Sequence, residues 1–204
     1  MSIGTKWEAV YRTKAADEVS WFRPHLETSL EWIDRFAGGA SAAIIDVGGG
    51  EATLIDDLLQ QGYQNLTVLD LSKTALEVTR KRIGPAAERV HWIVGDITEV
   101  HVPTGAYDLW HDRAAFHFLT LPEAQKRYIE RAISAIKAGG HLVLSTFGPH
   151  GPQKCCGLDV RRYDPETLEA MLAPAFRRVA DRTGIHTTPR GIEQQFTYGV
   201  FEKS

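Results

Sequence analysis

Acidic residues and a run of glycines mark the part of this chain best suited to hold a ligand. Gly48-Gly49-Gly50 follows Asp46, and a helical pattern begins soon afterwards. Glycines let the backbone approach a ligand that any Cβ would push away, and the free N–H groups at a helix start attract a polar group. Asp70 and Asp96 end the next two predicted strands, where their carboxylates could accept hydrogen bonds from ribose hydroxyls and from the amino group of adenine. This spacing predicts a site for a nucleoside-containing cofactor.

The same spacing could hold either of two kinds of cofactor. The glycine run departs from the G-x-G-x-x-G pattern of dinucleotide-binding loops, because Glu51-Ala52-Thr53 follows it. A dinucleotide needs room for its pyrophosphate at the helix N-terminus, and Glu51 places a negative charge close to that position. The residues therefore favour a cationic sulfonium over a diphosphate, and an NAD-dependent oxidoreductase remains the alternative.

Candidate catalytic residues follow the fourth predicted strand. They are His111, Asp112, Arg113 and His117. An unperturbed imidazole titrates near pH 6.5, so either histidine could remove a proton from an acceptor near neutral pH. Each could equally pack beside an aromatic neighbour and donate one hydrogen bond. Arg113 could contact the cofactor or bind an anionic acceptor, and a structural ion pair with Asp112 or Asp46 is an equally good interpretation.

Two adjacent cysteines, Cys155 and Cys156, lie in a loop that we expect to overhang the same site. Neighbouring cysteines seldom form a disulfide because the ring between them is strained, so we expect reduced thiols. Two thiols near His150 would suit a metal or metalloid, but no third and fourth ligand follows at a recognisable spacing. No metal is predicted, and acceptor binding and plain loop packing remain open for this pair.

Alternating apolar runs and amphipathic stretches predict the elements that position these residues. Between residues 42 and 147 the pattern is typical of βαβ units, and it predicts a doubly wound α/β sheet that is mostly parallel, with helices on both faces. The last two strands should form an antiparallel hairpin at the sheet edge. The seven predicted strands are 42–47, 66–69, 90–94, 107–110, 141–147, 177–185 and 194–201.

Capping residues predict where several helices begin. Ser72 should cap one helix, and Asp164-Pro165 should open another. Thr120 with Glu123 has the spacing of a capping box, which predicts a helix from there to about Lys137.

The size and composition indicate a single domain. The chain has 204 residues, 43% of them hydrophobic, and a formal net charge of −3. We expect a helical lid in residues 1–40, chiefly 5–37, a cofactor-binding core in 41–148, and an acceptor loop, helix and edge strands in 149–204. With no basic run, no apolar stretch of ~20 residues and no signal-like N-terminus, we expect no nucleic-acid partner, no membrane span and a cytoplasmic location.

Five sequence stretches together resemble the class I S-adenosylmethionine-dependent methyltransferases. They are DVGGG, LDLS, VGD, YDLWHDRAAFHFL and GGHLVLSTF, and the resemblance covers residues 42–147. It implies a Rossmann-like fold and S-adenosylmethionine as cofactor, with the glycine loop facing the methionine part, Asp70 the ribose and Asp96 the adenine. The implied cofactor-binding residues are Trp7, Tyr11, Trp21, Asp46, Gly48, Gly49, Gly50, Asp70, Leu71, Asp96, Ile97 and Arg113.

Shorter stretches are similar to two subgroups of this family. His111-Asp112-Arg113-Ala114 resembles the D-R-G-A or D-K-G-T stretch of the thiopurine/thiol methyltransferases and the elongation-factor lysine methyltransferases, and the aromatic residues before residue 23 are similar to both. D-R-A-A is nearer the thiol-methylating pattern, which implies a small-molecule acceptor such as a thiol or another soft nucleophile. The alternative is a protein lysine, which should be met by an acidic open groove. No motif is recognised after residue 150.

Overall fold

A central β-sheet organises the computed structural model, which describes residues 3–204. The strands are β1 Ala43–Val47, β2 Asn65–Asp70, β3 Val90–Val94, β4 Tyr107–Arg113, β5 Ile136–Phe147, β6 Lys154–Cys155, β7 Leu158–Asp159, β8 Phe176–Thr187 and β9 Glu193–Lys203. The helices are α1 Ile3–Thr13, α2 Glu27–Phe36, α3 Leu54–Gln60, α4 Lys73–Ile83, α5 Pro122–Ala135 and α6 Pro165–Leu172.

The strand order explains where a ligand can bind. The main sheet has seven strands in the order β3-β2-β1-β4-β5-β9-β8, while β6 and β7 pair only with each other. Strands β1 to β5 are parallel, and β9 runs antiparallel between β5 and β8. The predicted fold, Rossmann-like with an antiparallel edge hairpin, is confirmed. The strand order reverses at β1, since β2 and β3 lie on one side of it and β4 and β5 on the other, and this opens a crevice at the carboxyl ends of β1 and β4.

Two of the predicted helix starts are confirmed and one is wrong. The Ser72 hydroxyl accepts a hydrogen bond from the Ala75 N–H at 3.1 Å, and the Asp164 carboxylate accepts one from the Thr167 N–H at 2.7 Å. The capping box at residue 120 does not form, because α5 begins at Pro122 with Leu121 in the cap position and no side-chain cap. Proline suits the first helical position, since it has no N–H to satisfy there. The helix also ends at Ala135, where β5 takes over.

Strand β4 is longer than predicted. Its pairing with β1 continues to Asp112 and its pairing with β5 to Arg113, so His111, Asp112 and Arg113 lie within the strand and do not follow it. These three polar residues are typical of a loop, but each side chain forms a hydrogen bond with a residue from a distant part of the chain. These contacts fix the candidate site and are described below.

Both faces of the sheet are covered, as the alternating strand residues require. On one face Ile44 and Leu109 pack with α2 and α3, and on the other Trp110 and Leu144 pack with α5 and α6. The predicted lid over residues 5–37 is therefore only partly right. Helix α2 buries Ser29, Trp32 and Ile33 and belongs to the core. Only α1 and the segment after it lie at the crevice, as predicted for a lid.

Within residues 3–204, each helix is too short or too polar to cross a lipid bilayer.

Candidate functional site

A cavity lies in the crevice at the carboxyl ends of the parallel strands. It holds about 940 Å³ of empty space, counting the part that opens to solvent. Of the predicted site residues, the cavity wall contains Trp7, Tyr11, Trp21, Gly48, Asp70, Leu71, Asp96, Ile97, Arg113 and His117. The others, Asp46, Gly49, Gly50, His111 and Asp112, lie behind this wall.

The glycine loop brings bare backbone to the cavity. Gly48 has a φ of +74°, and a Cβ at this position would lie 2.6 Å from the Cβ of Ala115. Its N–H donates a hydrogen bond to the carbonyl of Leu69 at 2.8 Å, which joins the loop to β2. A side chain here would both strain the backbone and fill the space beside the next loop. The loop therefore fits a ligand that lies directly against the backbone.

Two carboxylates stand on the same side of the cavity as the glycine loop. Asp70, at the end of β2, accepts a hydrogen bond from the Ser72 N–H at 2.7 Å, and Asp96 accepts one from the Thr98 N–H at 2.8 Å. Burial, together with the nearby Asp46 carboxylate, raises the pKa of Asp70 to about 7. Each carboxylate keeps acceptor positions beyond its backbone bond. This half of the cavity, over β1, β2 and β3, can hold a nucleoside.

His111 does not reach the cavity. Its side chain is 1% exposed, with Nδ1 2.7 Å from Oδ1 of Asp46 and Nε2 2.9 Å from the hydroxyl of Ser29. Both ring nitrogens are occupied by buried partners, so the ring cannot act on an acceptor. The expected role as a base is not supported, and His111 instead holds Asp46 beneath the glycine loop.

Asp112 is also a buried structural group. Its Oδ1 accepts a hydrogen bond from the Ala115 N–H at 2.9 Å, and its Oδ2 accepts one from the Tyr128 hydroxyl at 2.7 Å. The Phe116 N–H donates to the same carboxylate. Burial raises the pKa of Asp112 to about 6. These bonds fix the loop after β4, in which Ala114 takes a φ of +69°, the conformation that suits the glycine of the related D-R-G-A stretch.

Arg113 forms neither of the ion pairs considered from the sequence. Asp112 is bonded to Tyr128 and the loop backbone, and Asp46 is bonded to His111. The Arg113 guanidinium lies 5.1 Å from the ring centroid of Phe196, and its Nη1 donates to the carbonyl of Trp21 at 3.1 Å. Its buried Nη2 has no hydrogen-bond partner. Burial lowers the pKa of the guanidinium.

His117 is oriented by the backbone of β5. The Phe147 N–H donates a hydrogen bond to His117 Nδ1 at 3.1 Å, and the two rings stack with centroids 4.5 Å apart. Burial, with the Arg113 charge nearby, lowers the pKa of His117 to about 3. The neutral ring therefore carries its proton on Nε2, which is buried without a partner. The expectation that His117 removes a proton is wrong in this geometry, because Nε2 can only donate.

Aromatic residues of the N-terminal segment cover the cavity. Trp7 packs edge-on against Trp21 at 5.5 Å and against Phe118 at 5.0 Å between ring centroids. Helix α1 is held by Glu8, which accepts hydrogen bonds from the hydroxyls of Ser72 at 2.6 Å and Thr74 at 2.5 Å. The segment thus reaches both the start of α4 and the loop after β4.

Some residues that line the cavity were not predicted from the sequence. Phe147 could have been found, because it ends β5 as Asp70 ends β2, and strand ends face the crevice. Phe196 comes from β9 and Ser20 from the segment after α1, where no local pattern marks them. Together with Arg113 and His117 they form the half of the cavity over β4, β5 and β9.

Cys155 ends β6 and Cys156 lies in the turn before β7, and both are free thiols. Cys155 is on the cavity wall, and Cys156 is half-buried with a φ of +49°. The Cys155 thiol donates a hydrogen bond to Cys156. This bond, with the charges of Lys14 and Lys6, lowers the pKa of Cys156 to about 6, and it raises the pKa of Cys155. No cluster of three or more His, Cys, Asp or Glu side chains suited to a metal occurs in residues 3–204.

We expect Cys156 to react with iodoacetamide as a thiolate at neutral pH. Its alkylation rate should rise with pH to a plateau with a midpoint near pH 6, below the value of about 8.5 for an ordinary cysteine. Mass spectrometry of the peptide after short labelling between pH 5 and 9 measures this midpoint.

Two variants test whether the hydrogen bond from Cys155 lowers the pKa of Cys156. Cys155→Ala removes the donated hydrogen bond and should move the midpoint upward, whereas Cys155→Ser keeps a donor and should change it less. A wild-type midpoint near 8.5 would show that neither the hydrogen bond nor the lysines stabilise the thiolate.

Known proteins share the sequence pattern of this chain. A sequence profile described as a methyltransferase domain matches residues 44–140. EEF1A lysine methyltransferase 2 of Danio rerio is 24% identical over 160 residues, which cover 71% of this chain and 69% of that protein. The ubiquinone/menaquinone biosynthesis C-methyltransferase UbiE of Roseobacter denitrificans is 27% identical over 124 residues, which cover 59% of this chain and 47% of that protein.

Solved structures share the fold over nearly the whole chain. The 1,6-didemethyltoxoflavin-N1-methyltransferase of Burkholderia thailandensis, solved with S-adenosylhomocysteine, superposes with a TM-score of 0.70 at 19% identity and covers 98% of this chain and 83% of its own. These matches do not support the alternative of an NAD-dependent oxidoreductase. A methyltransferase domain therefore occupies residues 44–140, and the fold and the glycine and carboxylate half of the cavity are those of an S-adenosylmethionine-dependent enzyme.

Proposed function

We propose that this enzyme methylates a small molecule that enters the half of the cavity over β4, β5 and β9. The enclosure of this half is the observation that carries the proposal. Trp7 and Trp21 cover it from the N-terminal segment, and Cys155 covers it from the loop after β5. An acceptor held in such a space is positioned and kept from water, which are the main requirements of this displacement.

The cofactor half of the cavity supports this arrangement. We assign the methionine part to the loop at Gly48, the ribose to Asp70 with Leu71, and the adenine to Asp96 with Ile97. S-Adenosylmethionine supplies a methyl group on a positively charged sulfur. The chain's own residues then have to bind the two molecules, orient them and exclude water.

The charge of the acceptor half argues against a lysine acceptor. The two acidic residues on the cavity wall, Asp70 and Asp96, both lie in the cofactor half. The acceptor half instead has the guanidinium of Arg113, which would repel an ammonium group. A protein lysine is the second candidate, favoured by the similarity to EEF1A lysine methyltransferase 2.

The nucleophile that fits best is one that needs no base from the protein. His117 Nε2 donates and cannot accept a proton, and burial raises the pKa of both Tyr11 and Tyr128. A thiol or another soft nucleophile reacts as an anion already formed in solution and needs only alignment. An acceptor of that kind is therefore included in the proposal.

Labelled methyl donor distinguishes the candidates. The enzyme is incubated with S-adenosylmethionine carrying a labelled methyl group and with a cell extract separated by size. We expect the label in the small-molecule fraction. Label that stays with protein and is recovered as methyl-lysine would instead support the second candidate.

A further inference from the structure

The acceptor half contains a buried positive charge without a counter-ion. No carboxylate of residues 3–204 lies within 4.0 Å of the Arg113 guanidinium. The guanidinium donates a hydrogen bond to the Trp21 carbonyl at 3.1 Å, lies against the face of the Phe196 ring and is close to the Tyr198 side chain, while Nη2 has no hydrogen-bond partner. A buried cation is costly unless it is paired. An anion close to Nη2 would pair this charge.

A second donor in the same half also lacks a partner. His117 Nδ1 is occupied by the Phe147 N–H, so its proton is on Nε2, and Nε2 is buried without a partner. The Arg113 charge is close enough to lower the pKa of His117. Two donors with no partner in the protein thus stand near each other on one wall.

Aromatic rings form the rest of this space. Trp7, Trp21, Phe118, Phe147 and Phe196 all line the cavity. Rings of this kind pack against a flat ligand by stacking and edge contacts. They also lower the local dielectric constant, which strengthens the interaction between a charged ligand and a nearby charged side chain. The walls therefore suit a planar ligand, and the two donors suit an anionic group on it.

We infer that the methyl acceptor is a small aromatic anion whose anionic group accepts hydrogen bonds from Arg113 Nη2 and His117 Nε2. This inference rests on the proposed function, because it names the class of acceptor for the same cavity. It gives Arg113 and His117 the role of binding and orienting the acceptor, with no proton removed by either.

Benzoate and benzamide test the inference as matched probes, because they differ mainly in charge. Each is titrated by calorimetry into the protein with and without S-adenosylhomocysteine. We expect benzoate to bind about tenfold or more tightly than benzamide, as a charge-assisted pair of hydrogen bonds would give. Two variants should reduce this preference to about threefold or less: Arg113→Met keeps an apolar stem, and His117→Asn keeps an acceptor for the Phe147 N–H.

The controls separate this inference from the proposed function. Thermal melts show whether each variant is folded, and since the two variants change different elements, a failure of one leaves the other as a test. Equal binding of benzoate and benzamide to the wild-type protein, or an unchanged preference in a folded Arg113→Met protein, would overturn the inference. Failure to bind S-adenosylhomocysteine would overturn the cofactor assignment instead, and the titrations without it would still test the anion site.

Discussion

Replacing Asp70 by asparagine is expected to weaken the binding of S-adenosylhomocysteine roughly 10- to 100-fold. In the proposed assignment both carboxylate oxygens accept hydrogen bonds from the ribose hydroxyls, and asparagine offers only one oxygen. Hydrogen bonds to a charged group contribute about 1.5–3 kcal/mol, which corresponds to this range of affinity. Calorimetric titration measures the change, with the exposed Asp34→Asn on α2 as the matched control.

The same substitution should not destabilise the ligand-free protein. The folded-state pKa of Asp70 is raised to about 7 by burial, against about 3.9 in an unfolded chain. The folded state then holds the proton more tightly, so ionisation of Asp70 reduces stability as pH rises from about 4 to 7, and the full cost remains above pH 7. Asparagine never ionises. At pH 8 the variant should melt at or above the wild-type temperature, with less difference at pH 5.

The pH dependence of the wild-type protein provides a further check on the assignment. Below pH 7 a growing fraction of Asp70 is protonated and loses one acceptor position, so cofactor affinity should fall as pH falls from 8 to 6. Affinity that is unchanged in Asp70→Asn, or a variant that simply unfolds at pH 8, would show that Asp70 is a structural residue.

The fold and the cofactor half could be predicted because their signals are local. Parallel strands that are covered on both faces appear as short apolar runs, and Asp70 and Asp96 stand at strand ends, which face the crevice in this kind of sheet. The loop at Gly48 is visible because a positive φ and a close contact with Ala115 both favour glycine. Each of these features depends on a few neighbouring residues.

The acceptor half depends on contacts between distant parts of the chain, and much of it could not be predicted. The predicted fourth strand ends at residue 110, before His111 and Asp112, because polar residues in a strand look exposed. Their burial depends on Ser29, which lies on α2, and on Tyr128, which lies on α5. The proton position on His117 is likewise decided by one backbone N–H of β5.

Replacing Asp112 by alanine is expected to cost about 2–4 kcal/mol of folding free energy, because it leaves several buried donors without an acceptor. The Ala115 and Phe116 N–H groups and the Tyr128 hydroxyl all donate to this carboxylate. For a domain of this size the melting temperature should fall by roughly 5–15 °C. Methyl transfer should fall as well, since these bonds hold the loop that carries His117.

Asp112→Asn distinguishes this positioning role from a catalytic one. Asparagine keeps an oxygen for the two backbone donors, and its amide N–H can donate to the Tyr128 hydroxyl, so most of the loop geometry should survive with a loss of about 1 kcal/mol. Methyl transfer by this variant should stay within about threefold of the wild-type rate. A catalytic base would be inactivated equally by both substitutions. If Asp112→Asn keeps full stability but loses turnover, Asp112 takes part in the reaction. If activity falls in proportion to the melting temperature across the two variants, Asp112 supports the loop.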